Sequence, residues 1–141
     1  GGTAQNAVTK LELIYKDSSI NCSKDKDGNW LLTSQDLRTK GDNDIIAGLI
    51  ADLKGLRSTR MITENIGSWD NYGLDKPEIK LTVTQKEKPP VTIYFGNKNP
   101  AQTAVYARVL EKDILYLIPA WKKNNFKKTL FELREKSDLK E

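Results

Sequence analysis

The sequence predicts an α+β domain, a mostly antiparallel sheet built from two meanders and accompanied by two principal helices. Three observations lead there. Short alternations of apolar and polar residues recur along the chain, such as Leu11, Leu13 and Tyr15 against Lys10, Glu12 and Lys16. Clusters of turn-forming residues separate these stretches at short intervals. Helix chemistry is confined to two places, a face of Ile46, Leu49, Ile50 and Leu53 and a stretch that opens on Pro119.

Residues 8–15 read as the first strand and Asp17-Ser18-Ser19 as a turn, because short polar side chains bond their own backbone. Residues 20–24 form the second strand. Asp25-Lys26-Asp27-Gly28 reads as a hairpin turn in which Gly28, lacking Cβ, takes positive φ. Residues 30–33 complete the first meander, and residues 37–41 read as a loop. Asp42 or Asn43 is placed to cap a helix running to about residue 54, with Gly55 ending it. Residues 58–63 resume an extended course, and residues 65–71 read as a short helix or turn around Trp69, punctuated by Gly73 and Pro77.

Four strands follow, at residues 79–85, 91–95, 104–110 and 114–118. In the first, Ile79, Leu81 and Val83 face inward and Lys80, Thr82 and Thr84 outward, so one side is wet. The last is apolar on both faces, which predicts a central place in the sheet. Pro119 suits the first position of a closing helix through about residue 129.

The 141 residues are the size of one domain, and 1–141 read as a single unit. A chain of this length buries roughly two-thirds of its extended surface, enough to fold without a metal or disulfide. Cys22 is the lone cysteine, expected as a small buried apolar side chain. The net charge of +4 and pI near 9.1 favour solubility more than they identify a partner. No apolar run reaches the roughly 18 residues of a membrane span, and no signal peptide is visible. Gly1-Gly2 in place of an initiator methionine reads as a cloning remnant or the edge of a unit excised from a longer, membrane-anchored protein.

Candidate chemistry is sparse. There is no histidine, so a serine nucleophile would need a lysine or carboxylate base, and no spacing singles out such a pair. Carboxylates for a paired-acid hydrolase fall in turns, caps and wet strand positions. Residues 23–28 partly match a calcium loop, but Ser23 stands at its first ligand position and Ser34 where a bidentate glutamate belongs. Asp42-Asn43-Asp44 is explained by capping before cation binding. Gly67, Gly73 and Gly96 make no phosphate loop. No cofactor or metal site is expected.

Two features point outward. Lys122, Lys123, Lys127 and Lys128 form a basic stretch beside Trp121 and Phe126, suited to a partner or a membrane surface, with nucleic acid ranked last because acids elsewhere nearly balance the lysines. The competing explanation is a closing helix with packed aromatics and wet lysines. Tyr72, Tyr106 and Arg108 are candidates for a pocket, although the aromatics are more simply explained as core and corner residues, and Arg108 is expected to pair with an acid such as Asp75.

Five motifs punctuate the chain: Gly28-Asn29-Trp30-Leu31-Leu32, Tyr72-Gly73-Leu74-Asp75-Lys76-Pro77, Phe95-Gly96, Val105-Tyr106-Ala107-Arg108 and Leu133-Arg134-Glu135-Lys136. In order and spacing they resemble a bacterial family known as domain of unknown function 4340, over nearly the whole chain. Two departures stand out: Glu135 where the family usually has Asp, and Thr33-Ser34-Gln35 where a proline often follows the Trp-x-Leu strand. The resemblance implies an extracytoplasmic protein, periplasmic or at the cell surface, tethered by an N-terminal membrane helix. It implies an accessory component of ABC-type transport systems, including gliding-motility-like ones, with protein partners in a membrane assembly and often a second copy of similar structure after the Leu-Arg-Glu-Lys junction. It supplies no catalytic residues. The resulting expectation is a non-enzymatic interaction module, with a small-molecule or glycan-binding domain as the alternative.

Overall fold

Nine strands form a single antiparallel sheet in the computed structural model, which describes residues 7–56 and 60–136. They are β1 (Val8–Tyr15), β2 (Ser19–Lys24), β3 (Trp30–Ser34), β4 (Leu37–Lys40), β5 (Arg60–Ile62), β6 (Ile79–Gln85), β7 (Val91–Lys98), β8 (Ala104–Val109) and β9 (Leu115–Pro119). Their order across the sheet is β4-β3-β2-β1-β6-β7-β8-β9-β5. Helix α1 (Asn43–Gly55) joins β4 to β5, a 3-10 turn occupies Trp69–Tyr72, and α2 (Ala120–Asn124) and α3 (Leu130–Leu133) follow β9.

The period-2 pattern decides the register. Leu32, Cys22, Leu11 and Val83 stand opposite one another across β3, β2, β1 and β6. One row along, Ile20, Leu13, Leu81 and Ile93 align, and the next row holds Tyr15, Ile79, Phe95 and Ala107. A slip of one residue would turn each row to the opposite face, so the pattern fixes the pairing. Helix α1 covers this face with buried Ile46, Leu49 and Ile50, and Phe126 stacks on Phe95 at 5.3 Å between ring centroids. Each such fully buried side chain contributes roughly 1.5–3 kcal/mol.

Several expectations are corrected. Residues 37–41 are not a loop: Leu37–Lys40 is an edge strand paired with β3. Its turn, with Gln35 at φ 54°, lacks the glycine that marks most two-residue hairpins. The β1–β6 pairing joins the strands before α1 to those after it in the single, mostly antiparallel sheet. The expected closing helix stops at Asn124, and a separate turn of helix begins after Thr129, so among the described residues α1 alone exceeds five residues. Gly55 lies inside α1, with Leu56 in right-handed conformation as the cap. β9 is not central but next to the edge, with the three-residue β5 outside it. Residues 58 and 59 of the expected extended segment lie outside the described residues.

Other local expectations hold. Asp42 caps α1, its Oδ1 accepting from the Asp44 and Ile45 amides at 3.0 and 3.1 Å. Asp25 Oδ1 accepts from the amides of Asp27 and Asn29, both at 2.9 Å, and Gly28 has φ 85°. Cys22 is fully buried.

Candidate functional site

The motifs noted in the sequence meet at two junctions. At the first, the 3-10 turn lies directly on β7. A Cβ on Gly96 would fall on the Tyr72 carbonyl oxygen and 3.0 Å from Leu74 Cδ2, and Gly73 has φ 71° against the Asn97 side chain. Gly96 and Asn97 sit together opposite Tyr106, between the Phe95↔Ala107 and Lys98↔Val105 pairs, which makes a bulge. Glycine is required because two backbones touch. The Tyr72 hydroxyl donates to the Ile66 carbonyl, and its ring packs edge-on to Tyr106 at 4.9 Å.

Arg108 extends this cluster. Its guanidinium carbon lies 4.0 Å from the Trp69 ring centroid, a cation–π contact, and its Nε is buried without a hydrogen-bond partner among the described residues. The expected ion pair with Asp75 does not form: the indole takes the cation, and Asp75 is exposed elsewhere. Tyr72 thus packs on Tyr106 and Arg108 on Trp69, and none of Tyr72, Tyr106 and Arg108 lines the groove described below.

The second junction lies at the Lys40 end of the β4 edge. Gly41 N donates to the Trp30 carbonyl at 2.8 Å, Asp42 N to Leu133 O at 2.7 Å, and Glu135 N to Lys40 O at 2.8 Å, with Gly41 bridged to Arg134. Asn43 links the Gly28-Asn29-Trp30 motif to α1: its Oδ1 accepts from Trp30 N and its Nδ2 donates to Asn29 Oδ1, each at 3.0 Å.

Between these junctions lies a groove of about 1100 Å³. Three segments wall it: the end of β1 with its turn, the loop leading into β6, and residues 127–129 before α3. Tyr15 holds two walls together. Its hydroxyl donates to Phe126 O at 2.6 Å and accepts from Lys128 N at 2.9 Å. Burial pushes its pKa up to about 12, so it stays protonated and works as a fixed bridge. Glu78 holds the third wall: Lys123 Nζ lies 2.5 Å from its Oε2 and Lys127 Nζ 2.8 Å from its Oε1. Those two lysine hydrogen bonds keep the Glu78 carboxyl below the usual carboxylate range.

Five lysines line the groove: Lys16, Lys76, Lys80, Lys127 and Lys128. Three carboxylates stand with them, Asp17, Asp75 and Glu78. Among the described residues, the ammonium groups of Lys16, Lys76 and Lys128 make no ion pair, nor do Asp17 and Asp75. Lys80 lies over Tyr94 at 5.7 Å.

The basic stretch read from the sequence divides accordingly. Lys123 is 8% exposed and structural, bonded also toward Gly96 O at 3.4 Å. Lys122 reaches Gly55 O at 3.5 Å and lies over Trp121, which is 64% exposed. Lys127 and Lys128 face the groove. Sequence reasoning missed its other walls, because Lys16, Lys76, Lys80 and Asn97 are dispersed along the chain and only the fold gathers them.

The remaining titratable groups with shifted pKa are structural. Burial raises the Cys22 thiol to about 12, which makes it a poor nucleophile. The Thr129 amide lowers Glu132 by hydrogen bonding within a capping box. Among the described residues no three histidine, cysteine or acidic side chains gather as a metal site, and no helix is long and apolar enough to cross a membrane.

No curated protein and no solved structure matches the chain. The family model described as Domain of unknown function (DUF4340) matches residues 30–140, from the third strand past the last helix and through four of the five motifs and most of the fifth, and the chain belongs to that family.

Proposed function

We propose that this chain is a non-enzymatic interaction module of an extracytoplasmic, membrane-associated protein, serving as an accessory component of an ABC-type transport system. The location and the transport role rest on the family resemblance. The interaction role rests on one structural observation, the two open ends of the sheet. Among the described residues β4 is laddered only to β3, with the Glu135 amide reaching it at Lys40 O, and β5 only to β9. Leu37 on β4 is 63% exposed and Met61 on β5 54%. An open strand end with an exposed apolar side chain is a ready template for a partner strand. Crosslinking and affinity capture of the full-length protein from its native membranes tests this. Recovery of transporter subunits, crosslinked through residues of β4 or β5, is the expected result. Recovery of the protein alone would count against it.

The groove favours a second reading, a domain that binds a small molecule or glycan. Its volume and mixed polar walls are the observation behind it. A rise in melting temperature with one compound of a metabolite and sugar panel is the expected sign, because a ligand of the native state alone stabilises it.

A further inference from the structure

Rows of strands explain the motifs, yet nothing in the fold explains why lysines from three separate segments converge on the groove. Lys16 comes from the turn after β1, Lys76 and Lys80 from the entry to β6, and Lys127 and Lys128 from the stretch before α3. Like charges brought together cost free energy unless something offsets them. The fold supplies an offset for only part of the set. Glu78 takes up Lys127 and the buried Lys123. Lys16, Lys76 and Lys128 form no ion pair among the described residues, although Asp17 and Asp75 line the same groove.

The walls are also held in place. Tyr15 ties β1 to Phe126 and Lys128, and Glu78 ties the β6 entry to Lys123 and Lys127. Lys16, Lys76 and Lys128 therefore sit on a preformed concave surface, beside Asp17 and Asp75. Ser18 and Asn97 add a hydroxyl and a carboxamide beside them.

We infer that the groove is a binding site for an acidic oligosaccharide, its carboxylate or sulfate groups held by Lys16, Lys76 and Lys128 and its hydroxyls by Ser18 and Asn97. The inference rests on the second reading above and names the ligand class of that site. Size supports it: about 1100 Å³ slightly exceeds the roughly 300–1,000 Å³ of ordinary small-ligand pockets and suits several sugar units. Shape favours a molecule that enters a concavity over the plane of a membrane.

Calorimetric titration of the full chain with a heparin-derived tetrasaccharide tests it, with neutral maltotetraose and phosphatidylglycerol vesicles as parallel probes. The expected result is binding of the tetrasaccharide alone, weakening as salt is raised. Lys76→Glu and Lys128→Glu should each reduce affinity roughly tenfold, the loss of one charge-assisted contact. Lys112→Glu, in the exposed turn between β8 and β9, should leave it unchanged, and melting temperatures confirm that each variant is folded. Equal binding of maltotetraose would overturn the acidic assignment and leave the ligand-binding reading standing. Binding of neither saccharide would overturn both. Equal weakening by Lys112→Glu, or Lys76-dependent binding of vesicles without the tetrasaccharide, would also overturn it.

Discussion

Glu78 shows how one side chain sets the environment of several others. It is 44% exposed, yet it neutralises the ammonium of Lys123, which is nearly buried. Glu78→Gln keeps the shape and removes the charge, leaving Lys123 with a neutral acceptor. A fully buried pair broken this way costs about 3–5 kcal/mol, and solvent screening at Glu78 reduces that to about 1–2 kcal/mol. The pH dependence follows from the direction of the shift. The folded carboxyl titrates below its unfolded value, so its contribution is complete above the ordinary glutamate pKa of about 4.3 and is lost as pH falls through the lower folded value. Urea melts at pH 7 and across the acid range should show the gap between wild type and variant closing in that window. Gly96 is a second such residue. Gly96→Ala would drive a methyl into the Tyr72 backbone, and overpacking of this kind costs about 1–3 kcal/mol, read as a lower melting temperature. The sequence marked Gly73 and Gly96 as punctuation. That they mark each other, across a turn and a strand, is a tertiary fact no local pattern carries.

At the scale of elements, the segment after α2 is held less by its own helix than by Tyr15. The hydroxyl satisfies one carbonyl and one amide that lie far along the chain, at Phe126 and Lys128. Tyr15→Phe leaves both without that partner at a cost of about 1–3 kcal/mol. The loss should concentrate locally, so hydrogen exchange at the amides of residues 127–133 should speed up while β1 and β6 amides keep their protection. Uniform acceleration across the sheet would show instead that Tyr15 supports the whole fold. Strands were legible here because their alternation is local: the bounds of β1 and β6 follow directly from it. β4 was hidden by a four-residue length and a glycine-free turn. The break after α2 did have a signal. Thr129 and Glu132 have capping-box spacing, and both reciprocal bonds form, with Glu132 N donating to Thr129 Oγ1 at 3.1 Å and Thr129 N to Glu132 Oε1 at 2.9 Å.

For the whole molecule, the register of the sheet sets the unfolding behaviour. A sheet weakly joined between β1 and β6 would melt in two parts. One sheet whose apolar rows cross from β3 through β1 and β6 to β8 gives no such seam. The buried cluster runs without interruption from Val8 to Leu133. The chain's two halves are further tied by Tyr15 to Phe126 and by Gly41 to Arg134. Such a domain should unfold in one cooperative step. Three tryptophans are placed to check this: Trp30 in the core on β3, Trp69 over β8 through its stack on Arg108, and Trp121 exposed on α2. Single-tryptophan variants followed by fluorescence in urea should give the same midpoint as circular dichroism. Leu81→Ala, at the middle of the central row on β6, should lower all of them together by about 2–5 kcal/mol. Separate midpoints for Trp30 and Trp69 would mean that the β1–β6 seam is weaker than its register implies, and that the strands on its two sides are separate energetic units.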